Sequence, residues 1–205
     1  MSADWRSVRY AALDFETTGL DPGRDRVISV GLVPVMAGRV DLAGSLEFVV
    51  DPGVRPGAES IRIHRMLPSD VGSGRSPAEV APMLASALGE DPIVVWTAWV
   101  ESAFLPTVCG GSGRRWGRRM VDVRHLTVRF DERTGCRPSP ARTDELGDTA
   151  RRFGVPPELS HDALADAFVT AQLFVIVATK LAALEPLTVT ALRAYGARSD
   201  GRRRR

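Results

Sequence analysis

Cysteine is almost absent. Cys109 and Cys136 are the two in 205 residues, and they form neither a disulfide framework nor a metal-ligand spacing. A disulfide-stabilised secreted scaffold is thereby excluded, and a reducing, cytoplasmic setting is the expectation. Long hydrophobic runs are missing too. The most apolar stretch, LFVIVA at 173–178, is far too short to span a bilayer. The opening MSADWRSVRY lacks the apolar segment of a signal peptide, so no membrane association is expected. No internal repeat is visible. Formal net charge is only +2, which excludes a global basic field. Lysine is nearly lacking as well: Lys180 is the one lysine among 27 basic residues. Arginine suits bidentate phosphate contacts, but a bias spread over the whole chain equally reflects a composition rich in Ala, Gly, Pro and Val.

What is present supports a folded domain. Hydrophobic residues make up 44% of the chain, enough for a core. Residues 8–15, 26–35 and 44–50 read as three strands joined by short turns, which suggests antiparallel neighbours. SPAEVAPMLASALGE (76–90) reads as a helix with Ser76 as N-cap and Pro77 at its first position. A buried strand (91–98), a short helix (100–108), a loop (108–120) and a short strand (120–123) follow. Residues 142–155 read as an amphipathic helix, and 160–184 as a long helix packed on the sheet. Three strands followed by alternating helix and strand predict an α/β domain with a mixed sheet. The domain is expected over residues 6–184. Residues 185–205 form a short extension with one possible helix and an Arg-rich tail expected to be disordered.

ALDFETTGL (11–19) ends an apolar strand in two acids. Residues two apart on a strand share a face, so Asp14 and Glu16 project together. Side by side in a partly buried site they repel, and one would stay protonated unless a cation relieves them. Hard oxygen ligands suit magnesium or manganese. A strand end with solvated acids accounts for this pair equally well. Downstream, SHDALADAF (160–168) carries His161 and, five residues on, Asp166, among small apolar neighbours. With Ser160 as N-cap, His161 would lie in the first turn. An acid on a core-packed helix is costly unless it is paired or metal-bound.

Together, LDFETTGLDP and HDALADA resemble the DnaQ-like 3′–5′ exonucleases, in the branch with a His-x4-Asp last motif. SIRIHRM (60–66), MVDVRHL (120–126) and LGDTARRFGV (146–155) are similar to further family segments in the same order. The resemblance covers about residues 8–183. It implies a ribonuclease H-like three-layer fold, with a mixed, roughly five-stranded sheet flanked by helices. It further implies two Mg2+ or Mn2+ ions held by Asp14, Glu16, Asp166 and a second-motif acid, with His161 as general base. The implied substrate is the 3′ end of single-stranded DNA, or of RNA, cut to nucleoside 5′-monophosphates; DNA repair is one setting for such an enzyme.

One motif departs from the pattern. WTAWVESAFL (96–105) has Trp96 and Thr97 where the family has His-Asn, and Glu101 where it has Asp. The carboxylate moves out by about 1.5 Å, one C–C bond. That leaves a second reading, a catalytically weakened nucleic-acid-binding module on the same fold. Trp96 is expected in the core. By the resemblance Thr17, Thr18, Gly19, His64 and Met66 meet the terminal nucleotide. Ordinary loop packing accounts for His64 and Met66 equally well. Arg62 and Arg65 beside them, and Arg114, Arg115, Arg118 and Arg119 around Trp116, are candidate phosphate contacts, or simply solvated. AQLF (171–174) resembles a clamp-binding peptide but falls inside the core helix. No polymerase-binding segment is evident, so a free-standing nuclease is expected.

Overall fold

The computed structural model describes residues 3–136, 145–156 and 161–196. β1 (Tyr10–Thr17) and β2 (Val27–Met36) pair antiparallel, with Asp14 opposite Gly31 and Glu16 opposite Ser29. The two-residue β3 (Arg39–Val40) and β4 (Leu46–Val49) share the far edge of β2. Then come α1 (Ala58–His64), α2 (Pro68–Gly72) and α3 (Pro77–Leu88). β5 (Ile93–Val95) returns parallel to β1, and after α4 (Ala98–Cys109) and α5 (Gly113–Gly117), β6 (Met120–Asp122) lies parallel to β5. α6 (Val123–Thr134), α7 (Leu146–Arg152), α8 (Ala163–Ala182) and α9 (Val189–Gly196) complete the described chain. The sheet order is β3–β2–β1–β5–β6, with β4 also on β2. This is the expected mixed sheet. Its parallel strands need crossovers, and helices supply them.

The two faces of the sheet carry separate cores. Ala11, Leu13 and Phe15 pack with Val80 and Leu84 of α3 and with Phe104 and Leu105 of α4. Tyr10 and Ala12 pack on the other side, with Ala167, Leu173, Phe174 and Val177 of α8. Full burial of each large side chain stabilises by roughly 1.5–3 kcal/mol. Asp14 and Glu16 continue the row of Tyr10 and Ala12, because alternate residues of a strand share a face. They therefore point toward α8. That helix is long and apolar enough by length and composition to cross a membrane, with a mean hydropathy of 1.6 over 18 residues, though LFVIVA alone is not. Its buried residues pack on β1 and β2 instead.

Several boundaries differ from expectation. Strand one runs to Thr17, so both acids lie inside it, and its register slips between Glu16 and Thr17. The strand expected at 91–98 is only Ile93–Val95, since Thr97 already occupies the N-cap position of α4. Trp96 is half-buried against the α8-side core. The expected loop at 108–120 contains α5, anchored by buried Trp116, whose Nε1–H donates to Gly110 O at 2.8 Å. Glycine and arginine in this segment gave no helical period to read. The long helix starts at Ala163, capped by Asp162 rather than Ser160, and Ser160 lies outside the described residues. α7 spans Leu146–Arg152, and the expected start of that helix at 142–144 lies outside the described residues too.

Leu187 and Leu192, after the long helix, join the same core as Trp5. Trp5 N–H donates to Leu187 O at 3.3 Å and Val189 N–H to Ala3 O at 3.1 Å. The Arg-rich tail at 197–205 lies outside the described residues.

Candidate active site

β1 and α8 bring the first three acids together. Asp14 and Glu16 face α8, and Asp166 sits in its first turn. The approach is close because β2 offers no side chain at Gly31. A Cβ there would lie 2.0 Å from Ala163 O and 2.4 Å from Leu164 N. Glu16, His161 and Asp166 each offer a ligand atom, and these atoms lie within 4.8 Å of one another. His161 precedes the helix in the left-handed region, at φ 67°. Its backbone N–H donates to Asp166 Oδ2 at 2.9 Å, and Asp162 accepts from Ala165 N at 2.8 Å to cap α8. A non-glycine residue held at positive φ costs of order 1–3 kcal/mol. Here that conformation places an imidazole beside two carboxylates.

α4 supplies the fourth acid. Glu101 lies in the first turn of α4, 4% exposed, and its Oε2 has no hydrogen-bond partner among the described residues. Among the charges acting on Asp14, that of Glu101 is the largest. The second-motif glutamate thus lies near Asp14 despite its extra methylene. Asp122, a conceivable substitute, is committed elsewhere: its two oxygens accept from Ala98 N and His125 N, each at 2.9 Å.

Burial and mutual repulsion raise every member of the cluster. Asp14 is held well above the ordinary carboxylate range by burial, then by Glu101, Asp166, Glu16 and Asp162. Burial, Asp166 and Asp162 push Glu16 up to about 8. Burial pushes Glu101 up to about 8, a backbone hydrogen bond opposes this, and Asp122 adds to it. Asp166 is raised by burial, against the hydrogen bond and charge of His161, with Asp162 adding. Asp162, which the sequence reading did not single out, is therefore a fifth carboxylate at the rim.

Linkage gives these shifts a measurable sign. Between the ordinary 4.5 and about 8, the folded chain holds protons on Glu16 and Glu101 that the unfolded chain has released. Stability therefore falls as pH rises through that window. Chelator-treated protein is expected to lose stability steadily from about pH 5.5 to 8. Glu16→Gln should flatten the profile. His64, lowered by burial and then by His161, works in the opposite sense. A melting temperature that climbs from pH 5.5 to 8 in wild type would contradict the cluster's electrostatics.

The turn after the acids is tied down by its own side chains. Thr17 Oγ1 donates to Gly19 O at 2.6 Å, and Thr18 Oγ1 donates to Asp25 Oδ1 at 3.1 Å while accepting from Arg26 N at 3.0 Å. A Cβ at Gly19 would meet the Asp25 carboxylate, 2.5 Å from Oδ2. The glycine thus admits Asp25. His64 is 6% exposed, and both its ring nitrogens are used. Met66 N–H donates to Nδ1 at 3.2 Å, so Nε2 carries the proton and hydrogen-bonds Ser60 Oγ, which donates to Thr17 O at 3.2 Å. The pair of side chains ties α1 to the end of β1. Met66, half-buried, follows Arg65, which ends α1 at φ 59°. Arg62 pairs at the surface with Glu59.

The arginine segment around Trp116 is at the wrong end for the site. β1, β5 and β6 run parallel, and the acids of β1 lie toward its C-terminal end. α5 immediately precedes β6, at the N-terminal ends of those strands. Arg119 is 8% exposed and donates to Leu88 O and Asp91 O, each at 2.8 Å. Arg115 pairs with Glu90 at 3.9 Å. These residues brace a loop of the fold.

Comparison with known proteins adds an independent frame. A sequence model of the exonuclease family, RNase_T, matches residues 11–174. A PolC-type DNA polymerase III of Thermotoga maritima is 29% identical over 190 residues, 88% of this chain and 13% of the polymerase. E. coli exonuclease I in complex with a dT13 oligonucleotide superposes with a TM-score of 0.73 at 17% identity, covering 86% of this chain and 42% of that one. Exonuclease X in complex with 5′-overhanging duplex DNA gives 0.68 at 19% identity, covering 91% and 99%. The chain thus spans a small fraction of the polymerase and under half of exonuclease I. The structural likenesses establish the fold, a mixed sheet curled as a half-barrel and flanked by helices.

Proposed function

Since this chain belongs to the exonuclease family, whose model covers residues 11–174, we propose that it is a divalent-metal-dependent 3′–5′ exonuclease acting on single-stranded DNA ends. The observation that carries this is the meeting of Asp14, Glu16, Glu101 and Asp166, from three elements, in a partly buried cluster that disfavours its own ionisation. Such a donor set fits hard divalent cations. Oε2 of Glu101, unpartnered among the described residues, and the grouped carboxylate oxygens of Glu16 and Asp166 support that fit. These four carboxylates would hold two ions, magnesium or manganese. When bound, the ions supply charge neutralisation at the phosphodiester and acidify water.

The chain's own residues do the rest. The imidazole of His161, beside Glu16 and Asp166, accepts the proton of the attacking water. The new P–O bond forms as the bond to O3′ of the penultimate nucleotide breaks, releasing a nucleoside 5′-monophosphate. The braced turn Thr17–Thr18–Gly19 and the half-buried Met66 would flank the terminal nucleotide, with His64 setting their place through Ser60 and Thr17. The DNA in the exonuclease I and exonuclease X complexes supports a nucleic-acid substrate.

The test uses 5′-labelled and 3′-labelled single strands of DNA and RNA, with magnesium, manganese or chelator. The expected result is a mononucleotide as the first product from the 3′ label, a descending ladder from the 5′ label, and no reaction in chelator. Mononucleotide released first from the 5′ label would overturn the polarity.

His161→Ala is expected to lower turnover by about 10²–10⁴-fold, the usual range for a lost general base. Manganese affinity by calorimetry should be retained. If metal binding disappears together with turnover, His161 is a ligand.

A further inference from the structure

We propose that Asp122 is a positioning residue for Glu101: from β6 it sets where α4 begins, and so where the Glu101 carboxylate is held. The proposal rests on the metal-dependent reading of the cluster.

Thr97 occupies the N-cap of α4, but its side chain caps nothing. The N–H of Ala98, the first residue of the helix, donates instead to Asp122 Oδ2 at 2.9 Å, a group 24 residues further along the chain. Oδ1 of the same carboxylate caps α6 by accepting from His125 N at 2.9 Å, and His125 Nδ1 stands 2.9 Å from it. One carboxylate, 1% exposed, thus starts two helices. Glu101 is three residues after Ala98 in the helix whose first N–H Asp122 holds. Among the described residues its Oε2 has no hydrogen-bond partner, and its carboxylate hydrogen-bonds its own backbone, so the helix that carries it determines where it points. A glutamate has one more rotatable bond than an aspartate, and sites of this kind require placement within about 0.5 Å. For stability alone, a serine or asparagine cap would serve without burying a second acid beside Glu101. The charged cap reaches across from the sheet, and so ties the start of α4 to β6.

Asp122→Asn keeps the shape but removes an acceptor oxygen. It is expected to lower kcat by about 10–100-fold, the usual cost of losing a group that orients a metal ligand. KM for the oligonucleotide should change little, and manganese affinity by calorimetry should weaken. Ala98→Pro is the second variant. It deletes the one N–H while leaving the α6 cap, and the first helical position after an extended Thr97 accepts proline. It should reproduce the kcat loss and the weaker manganese binding. Wild-type kcat and manganese affinity in either folded variant would overturn the proposal. So would losses of kcat that follow only the folded fraction, with manganese affinity intact. Asp14→Ala in the same assays separates the layers. If it is inactive while Asp122→Asn is fully active, only the role of Asp122 fails; if it is active, the metal reading itself fails.

Discussion

Asp14→Ala is expected to lose exonuclease turnover by about 10³-fold or more while becoming more stable in chelator. The loss follows from the proposed role of Asp14 as a metal ligand in the cluster. Metal ions are worth several kcal/mol of transition-state stabilisation, and each 1.36 kcal/mol is a factor of ten in rate. The gain follows from burial and repulsion: Asp14 feels Glu101, Asp166, Glu16 and Asp162 together. Removing it relieves four neighbours. The two effects have opposite signs, which distinguishes a functional acid from a structural one. Turnover with magnesium and a melting curve in chelator, on the same preparation, check both. An inactive variant that melts below wild type would mean that Asp14 supports the fold, and near-normal turnover would remove it from the reaction.

Gly31→Ala should impair both stability and activity, and Gly31→Val should do so more severely. The atoms a side chain would meet are backbone, Ala163 O at 2.0 Å and Ala163 C at 2.2 Å, so no rotamer relieves the clash. α8 must move off the sheet, and it carries Asp166, with His161 just before it. Overpacking commonly costs about 1–3 kcal/mol, or roughly 2–4 °C in melting temperature per kcal/mol at this size. A misplacement of about 1 Å can cost about 10²-fold in rate. Turnover of the fraction still folded is the informative quantity. Unchanged melting and turnover in Gly31→Ala would mean that α8 does not sit as close to β2 as the structure places it.

The contrast between these two residues marks what could be read from the chain alone. Asp14 and Glu16 were legible because strand geometry makes two-residue spacing a shared face, and Asp166 because an acid among small apolar residues on a core helix needs a reason. The mixed sheet was legible from three closely spaced strands followed by alternating helices. Gly31 was not legible: nothing local distinguishes a glycine under a helix from one in any strand. The capping role of Asp122 escaped for a similar reason, since its partner Ala98 lies on another element and a cap from a distant strand leaves no local spacing. The short helix around Trp116 was missed because its stability comes from burying one indole rather than from a helical period. Thr17, Thr18, Gly19 and His64 were singled out as substrate contacts, yet much of their hydrogen bonding is directed inward, to Gly19, Asp25, Arg26, Ser60 and Met66. Those bonds brace the turn that follows the acids.

The central claim is that four proton-loving carboxylates form a metal centre, and manganese titration by calorimetry tests it most directly. Glu16 and Glu101, raised to about 8, must give up protons to bind a cation. Run in buffers of different ionisation enthalpy, the titration reports both the number of ions and the protons released. The expected result is two ions per chain, with proton release that grows as pH is lowered from 8.5 to 6.5, and a loss of binding in Asp14→Ala. Absence of binding, or binding that releases no protons and survives in Asp14→Ala, would contradict it.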